Sequence, residues 1–272
     1  MLFDTHCHLD DEAFTEDVAT VVKLARNVDV RWMLTQGTTI HSSLDCIELA
    51  ERFPEVYAAV AIHPNCLMRE IPYFGNDSAF FEIFTKMAEE PKVRAIGETG
   101  VDLYWDDTPI EIQKKFLALH YELSRRTGLP VVVHCRDAED VFLEVTREDF
   151  EKNGPTSGVI HSFSGDTTFL EACLELGFHI SYSGCVTFQN KKLDTLRETV
   201  THVPAEKILV ETDSPYLTPM PFRGKVKRNS PEMVQHTATF LAELRGEEVA
   251  EFCRLTTRNA GKLFGIPAAT EV

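Results

Sequence analysis

The stretch "FDTHCHLD" places His6 and His8 one residue apart near the start of the chain. On a β-strand, residues two apart project to the same side, so the two imidazoles would point together while Cys7 faces the other way. That is a geometry for holding a metal ion, but a single His-X-His pair is as readily ordinary packing and needs further donors. They are present: His63 in "AIHPN", Glu98 in "IGETG", His134 in "VVVHC", His161 in "VIHSF" and Asp213 in "VETDSP". A catalytic zinc takes about three protein ligands and keeps a position open, so His6, His8, Glu98, His134, His161 and Asp213 exceed the needs of one ion. Two ions sharing one carboxylate would use all six: His6, His8 and Asp213 on one, His134 and His161 on the other, Glu98 bridging. Imidazole-rich coordination favours zinc or manganese over magnesium, which abundance keeps in play. A water between two ions roughly 3.5–4 Å apart is a strong nucleophile near neutral pH. Asp213, with a second oxygen free, is the expected general base, and Glu98 is the expected catalytic bridge. A protein nucleophile is not expected, because "HSFSG" lacks the first glycine of a nucleophile elbow and Cys135 has no partnered base.

Groups so scattered in sequence need a scaffold that gathers them. Eight β-rich runs recur along the chain: "MLFDTH", "VRWMLTQ", "VYAAVAIHP", "VRAIGETG", "PVVVHC", "GVIHSFS", "FHISYSG" and "KILVETDSP". Apolar spacing and capping residues predict helices between and after them at Thr15–Asn27, Ser42–Phe53, Ser78–Glu89, Pro109–Thr127, Ala138–Arg147, Thr167–Leu176, Lys191–His202 and Pro231–Leu244. Strand followed by helix implies a parallel sheet, and eight such units fit a closed (β/α)8 TIM barrel, an α/β fold. No G-x-G-x-x-G or phosphate-binding loop suggests an open doubly wound sheet. No Pro/Gly/Ser-rich linker divides the chain, so residues 1–272 are expected to form a single domain. In such a barrel the functional groups stand at the C-terminal ends of the strands, where the candidate ligands and His63 fall.

Composition agrees. With 43% hydrophobic and 26% charged residues among 272, the chain has the make-up of a soluble globular protein. Seven cysteines with no Cys-X-X-Cys pair read as reduced packing residues, not a disulfide framework. No leader and no membrane-length apolar run is visible, so the expectation is a cytoplasmic protein with no membrane association and no obligate protein partner.

The phrases "FDTHCHLD", "AIHPN", "IGETGVDLYW", "PVVVHCRDA", "GVIHSFSG", "ETDSPYLTP" and "TTRNAGKLFGI" occur in the order and approximate spacing of the TatD-like metal-dependent deoxyribonucleases, a branch of the amidohydrolase-like barrels. The resemblance spans nearly the whole chain. It implies a metal-dependent phosphodiesterase acting on DNA, with the same six ligands. It further implies that His63 is an additional active-site histidine, that Arg136 stands beside the fifth-strand ligand, and that Arg223 and Asn229 belong to a substrate-binding "RG…N" loop, which is longer here than the family's usual one. Arg136 has the alternative of a salt bridge to Asp137 or Asp140, and His63 that of a structural hydrogen bond. His41, His120, His179, His202 and His236 are assigned no role.

A net charge of −16 argues against broad nucleic-acid binding, since two divalent cations would offset only a quarter of it. Local contacts answer the objection: the metals, Arg136 and the run Arg223, Lys225, Lys227 and Arg228 would hold a few phosphates at the mouth. That arrangement suits exonucleolytic work on single-stranded DNA ends, and the resemblance implies the 3′–5′ direction. The alternative is a related two-metal barrel hydrolase of a small ester, lactone or amide, which would not need the basic loop.

Overall fold

The computed structural model describes residues 1–267. Its strands are β1 (Leu2–Cys7), β2 (Val30–Gln36), β3 (Val56–Ala59), β4 (Val93–Asp102), β5 (Val131–Arg136), β6 (Gly158–Ile160), β7 (His179–Tyr182) and β8 (Ile208–Val210). They pair in parallel and in chain order. The seam between first and last strands closes just beyond β8: the Asp213 N–H donates to the His6 carbonyl at 2.9 Å, and the His8 N–H to the Ser214 carbonyl at 2.7 Å. The expected TIM barrel is the observed fold.

Around it stand α1 (Val18–Asn27), α2 (Ile40–Arg52), α3 (Leu67–Phe74), α4 (Asp77–Ala88), α5 (Ile110–Thr127), α6 (Glu139–Asn153), α7 (Thr167–Glu175), α8 (Asp194–His202), α9 (Val234–Arg245) and α10 (Val249–Phe264). Two of these were not expected. Pro72 lies inside α3 and reads in sequence as a helix breaker. In α10 the buried face includes Thr256, Thr257 and Asn259, which blur its apolar stripe. The Asn259 amide donates to the carbonyls of Ala205 and Ile208, at 2.7 and 3.1 Å, tying α10 to the start of β8. Helix α6 also runs past its expected end at Arg147.

The barrel interior is layered. Its lower layer takes one apolar residue from each of seven strands: Phe3, Leu34, Ala59, Ala95, Val132, Val159 and Leu209. Ala260, Phe264 and Ile266 of the α10 end pack onto this layer and stopper it. Above the layer the strands switch which side chains they aim inward. Ala95 belongs to the apolar layer, yet Glu98, an odd number of residues further on, faces the mouth; the β4–β5 register shifts between Ile96 and Thr99. A second shift, between Asp4 and Cys7, lies between inward Phe3 and His6. Such irregularities re-aim side chains without ending the strand.

Candidate metal centre

Glu98 is buried, and its two oxygens serve two different groups. Its Oε2 lies 3.4 Å from His6 Nε2 and 3.6 Å from His8 Nε2. Asp213 Oδ1 stands 3.6 Å from His6 Nε2 and 3.4 Å from His8 Nε2, and the two imidazole nitrogens are 3.2 Å apart. Each of these five separations matches the spacing of two donors that share one zinc ion at about 2.1 Å in tetrahedral coordination. The residues therefore fit a metal ion.

The other oxygen, Oε1, is surrounded by three imidazoles: His161 Nε2 at 2.8 Å, His134 Nδ1 at 2.9 Å and His63 Nε2 at 3.5 Å. His134 Nδ1 and His161 Nε2 are 3.2 Å apart. Close approach of β4 and β5 brings these groups together. Gly100 has a φ of +147°, and a Cβ there would stand 1.9 Å from the His134 carbonyl oxygen, so only glycine fits.

Two carboxylates that sequence reasoning missed orient the second group. Asp102 Oδ2 lies 2.9 Å from His134 Nε2, and Glu211 Oε1 lies 3.2 Å from His161 Nδ1. Each holds a proton on the far ring nitrogen, so that the near one, which faces Glu98, can give its lone pair to a cation. Asp102 also accepts the Asn65 amide, and Glu211 the Ser162 N–H. A third carboxylate, fully buried Asp4, accepts both the hydroxyl and the N–H of Thr212, at 2.6 and 2.8 Å. It thereby holds the residue before Asp213, whose φ of +55° is left-handed. The available signals were spacing: Asp102 lies an even number of residues after Glu98 on one strand, and Glu211 lies two before Asp213.

Charge follows this geometry. Burial opposes a proton on His8, but the hydrogen bond to Asp213 and the charge of Glu98 outweigh it and push His8 up to about 9. Burial likewise opposes protonation of His161, yet Glu98 and Glu211 raise it well above the usual histidine range. For His134, Asp102 and Glu98 overcome burial in the same direction. His6 and His63 move down, chiefly because they are buried. Despite burial, the surrounding imidazoles hold Glu98 well below the ordinary carboxylate range. Burial also works against ionisation of Asp213, but the bond from His8 wins and lowers it.

The cavity above this cluster measures about 1320 Å³ and is lined by Arg136 and Arg223 among others. Arg136 lies 3.8 Å over the Tyr104 ring and Arg223 3.5 Å over that of Phe188. Among the described residues, Arg136 makes no ion pair to Asp137 or Asp140. The remaining expected substrate contacts require correction. Asn229 is fully buried, its amide donating to the carbonyls of Thr212 and Tyr216 at 2.9 and 2.7 Å, so it braces the loop carrying Asp213 and does not face the cavity. Lys225 is exposed but does not line the cavity. Nor is Arg228 available to a phosphate, because it pairs with Asp17 at 2.7 Å and lies over Phe14. His63 also accepts the Asn65 N–H through Nδ1, combining a structural bond with its place beside Glu98. Among the other histidines, His41 and His202 are on helix surfaces, His236 packs on Phe222, His179 is on β7 and His120 is buried under β4.

A (β/α)8 barrel whose mouth gathers five imidazoles around a buried glutamate, with an aspartate alongside, is the architecture of a metal-dependent hydrolase. The chain matches the TatD related DNase family over residues 3–265 and belongs to it. It is 39% identical over 272 residues to the uncharacterized metal-dependent hydrolase YcfH of Escherichia coli, covering 98% of this chain and 97% of that protein. It is 32% identical over 268 residues to a Salmonella typhimurium protein named 3′-5′ ssDNA/RNA exonuclease TatD, covering 97% and 99% of the two. Among solved structures, the TatD homolog YjjV of Escherichia coli matches with a TM-score of 0.87 and 29% identity over 98% of both chains.

Proposed function

We propose that this protein is a divalent-metal-dependent deoxyribonuclease, a cytoplasmic, single-domain 3′–5′ exonuclease acting on single-stranded DNA ends. The observation that carries the reading is Glu98, which presents one oxygen to His6, His8 and Asp213 and the other to His134, His161 and His63. His6, His8, Glu98, Asp213, His134 and His161 would hold two cations, zinc, manganese or magnesium, and His63 would assist at the second. When bound, the cations would polarise a phosphodiester and lower the pKa of water. Asp213 accepts the proton of the attacking water. Asp102 and Glu211 keep His134 and His161 in the required tautomers, and Arg136 and Arg223 bind flanking phosphates. A small ester or lactone does not require a cavity of about 1320 Å³ with two rim arginines, whereas a chain of nucleotides uses both. The name of the Salmonella relative supports the same polarity.

The test is to strip the protein of metal, reload it separately with Zn²⁺, Mn²⁺ and Mg²⁺, and supply oligodeoxynucleotides labelled at either end. Shortening of 5′-labelled single strands in steps, faster than duplexes, is expected. Hydrolysis of small esters or lactones with no attack on DNA under any metal would replace this reading with the other.

A further inference from the structure

Large apolar side chains are normally covered, yet Leu103, Tyr104 and Trp105 stand exposed in succession beyond β4. The loop that carries them is anchored. Asp102 Oδ1 accepts the backbone N–H groups of Tyr104 and Trp105, at 2.9 and 3.0 Å, while its other oxygen faces His134. One carboxylate thus positions both the metal centre and the aromatic loop. Arg136 covers Tyr104, and the two aromatic rings meet edge to face with centroids 4.9 Å apart. Trp105 lines the cavity, is 51% exposed, and among the described residues carries no cation over its ring. It is a preordered indole beside a phosphate-binding guanidinium.

Resting on the nuclease reading, we propose that Trp105 is a stacking platform for one nucleobase of a single-stranded substrate, held at a fixed distance from the cleaved bond by Asp102. A platform made of a ring face reads any base without hydrogen bonds, so it adds affinity and excludes paired bases with little sequence preference. Arg136 neutralises the adjoining phosphate. Around the mouth, the Arg223–Phe188 pair, carried by the loops beyond β8 and β7, supports the strand on the far side of the centre. Duplex DNA cannot offer an unstacked base to Trp105, which gives the preference for single-stranded ends a physical cause.

The chain has two tryptophans, and Trp32 lies on β2 against Phe3. In a Trp32→Phe, Asp213→Asn double variant the remaining fluorescence reports Trp105 while the substrate stays intact. Metal-loaded protein is titrated with a single-stranded oligodeoxynucleotide and with a set carrying one abasic nucleotide at each position in turn. Quenching should disappear for an abasic nucleotide at one particular position. In otherwise unmodified protein, that base deletion should lower kcat/KM about tenfold, while in Trp105→Ala it should have no further effect, and Trp105→Phe should restore most of the dependence. An equal cost of base deletion with and without Trp105, or quenching indifferent to every deletion, overturns the proposal. If unmodified protein binds the oligonucleotide and quenches as expected but cleaves none under any metal, the nuclease reading fails while the platform stands.

Discussion

Replacing Asp102 with asparagine exchanges one oxygen for an NH₂ group of nearly the same size. The two backbone donors, Tyr104 N–H and Trp105 N–H, need an acceptor, so the amide oxygen must stay where Oδ1 is. The NH₂ then replaces Oδ2, 2.9 Å from His134 Nε2 and 3.1 Å from the Asn65 amide, which itself donates. His134 Nε2 must become an acceptor, and its proton moves to Nδ1, which faces Glu98 Oε1 at 2.9 Å. The lone pair expected to bind metal is lost although no ligand has been removed. Changing such an orienting carboxylate typically costs 10–100-fold in metal affinity, about 1.4–2.7 kcal/mol. The loss should be confined to the group around Oε1, because His6, His8, Glu98 Oε2 and Asp213 form a separate set of donors. Zinc titration against a competing chelator should therefore show one equivalent bound as in the unmodified protein and one weakened within that range, with circular dichroism unchanged. Two unchanged equivalents, or two equally weakened ones, would refute the assignment of His134 and the division of the site.

Asp213→Asn should cut turnover by about 10²–10⁴-fold while metal analysis shows much of the metal retained, since the histidines and Glu98 still hold the ions while the proton acceptor is lost; near-normal turnover would move that role to His63. His8 is pushed up to about 9, and His134 and His161 are raised as well, so cations compete with protons for these nitrogens. Loading should release protons, and affinity should fall as pH drops. Calorimetry in buffers of different ionisation heat measures this, and a buffer-independent enthalpy would contradict it. His120 is pushed down to about 4 by burial; its Nε2 accepts the Ile62 N–H and its Nδ1 faces the Phe116 carbonyl, so a second ring proton would oppose a donor. Its depressed pKa contributes stability that is fully present above about pH 6.5 and lost as pH falls toward 4, roughly 3 kcal/mol in all. Urea unfolding of metal-free protein across that range should show a shallower acid loss in His120→Gln, and identical slopes would refute the account.

The strands and their metal-type donors were legible because both are local signals. A β-rich run ending in a histidine or carboxylate can be read without knowing its neighbours. Asp102, Glu211 and Asp4 were not legible, although all three lie in the phrases that carried the resemblance, because their roles depend on partners in other strands. The same reason misplaced the basic loop. "RGKVKRN" reads as free charge until Asp17, 211 residues from Arg228 in the chain, arrives beside it. Asn229 looks like a surface loop residue until Thr212 and Tyr216 turn their carbonyls toward it. Register breaks were hidden as well: strict alternation cannot account for Ala95 and Glu98 both facing inward.

The seam between β1 and β8 has a consequence for how the enzyme comes into being. His6 and His8 leave the ribosome well before Asp213, which joins them beside Glu98, and before Thr212, which bonds Asp4 from 208 residues away. Contacts of such separation form late in folding, after the intervening chain has collapsed. A nascent or prematurely terminated chain that stops before β8 carries both histidines of "THCH" and lacks Asp213, the proposed proton acceptor. Hydrolytic competence is therefore gated by completion of the barrel, so that partial chains emerging beside the translated message carry no finished metal site.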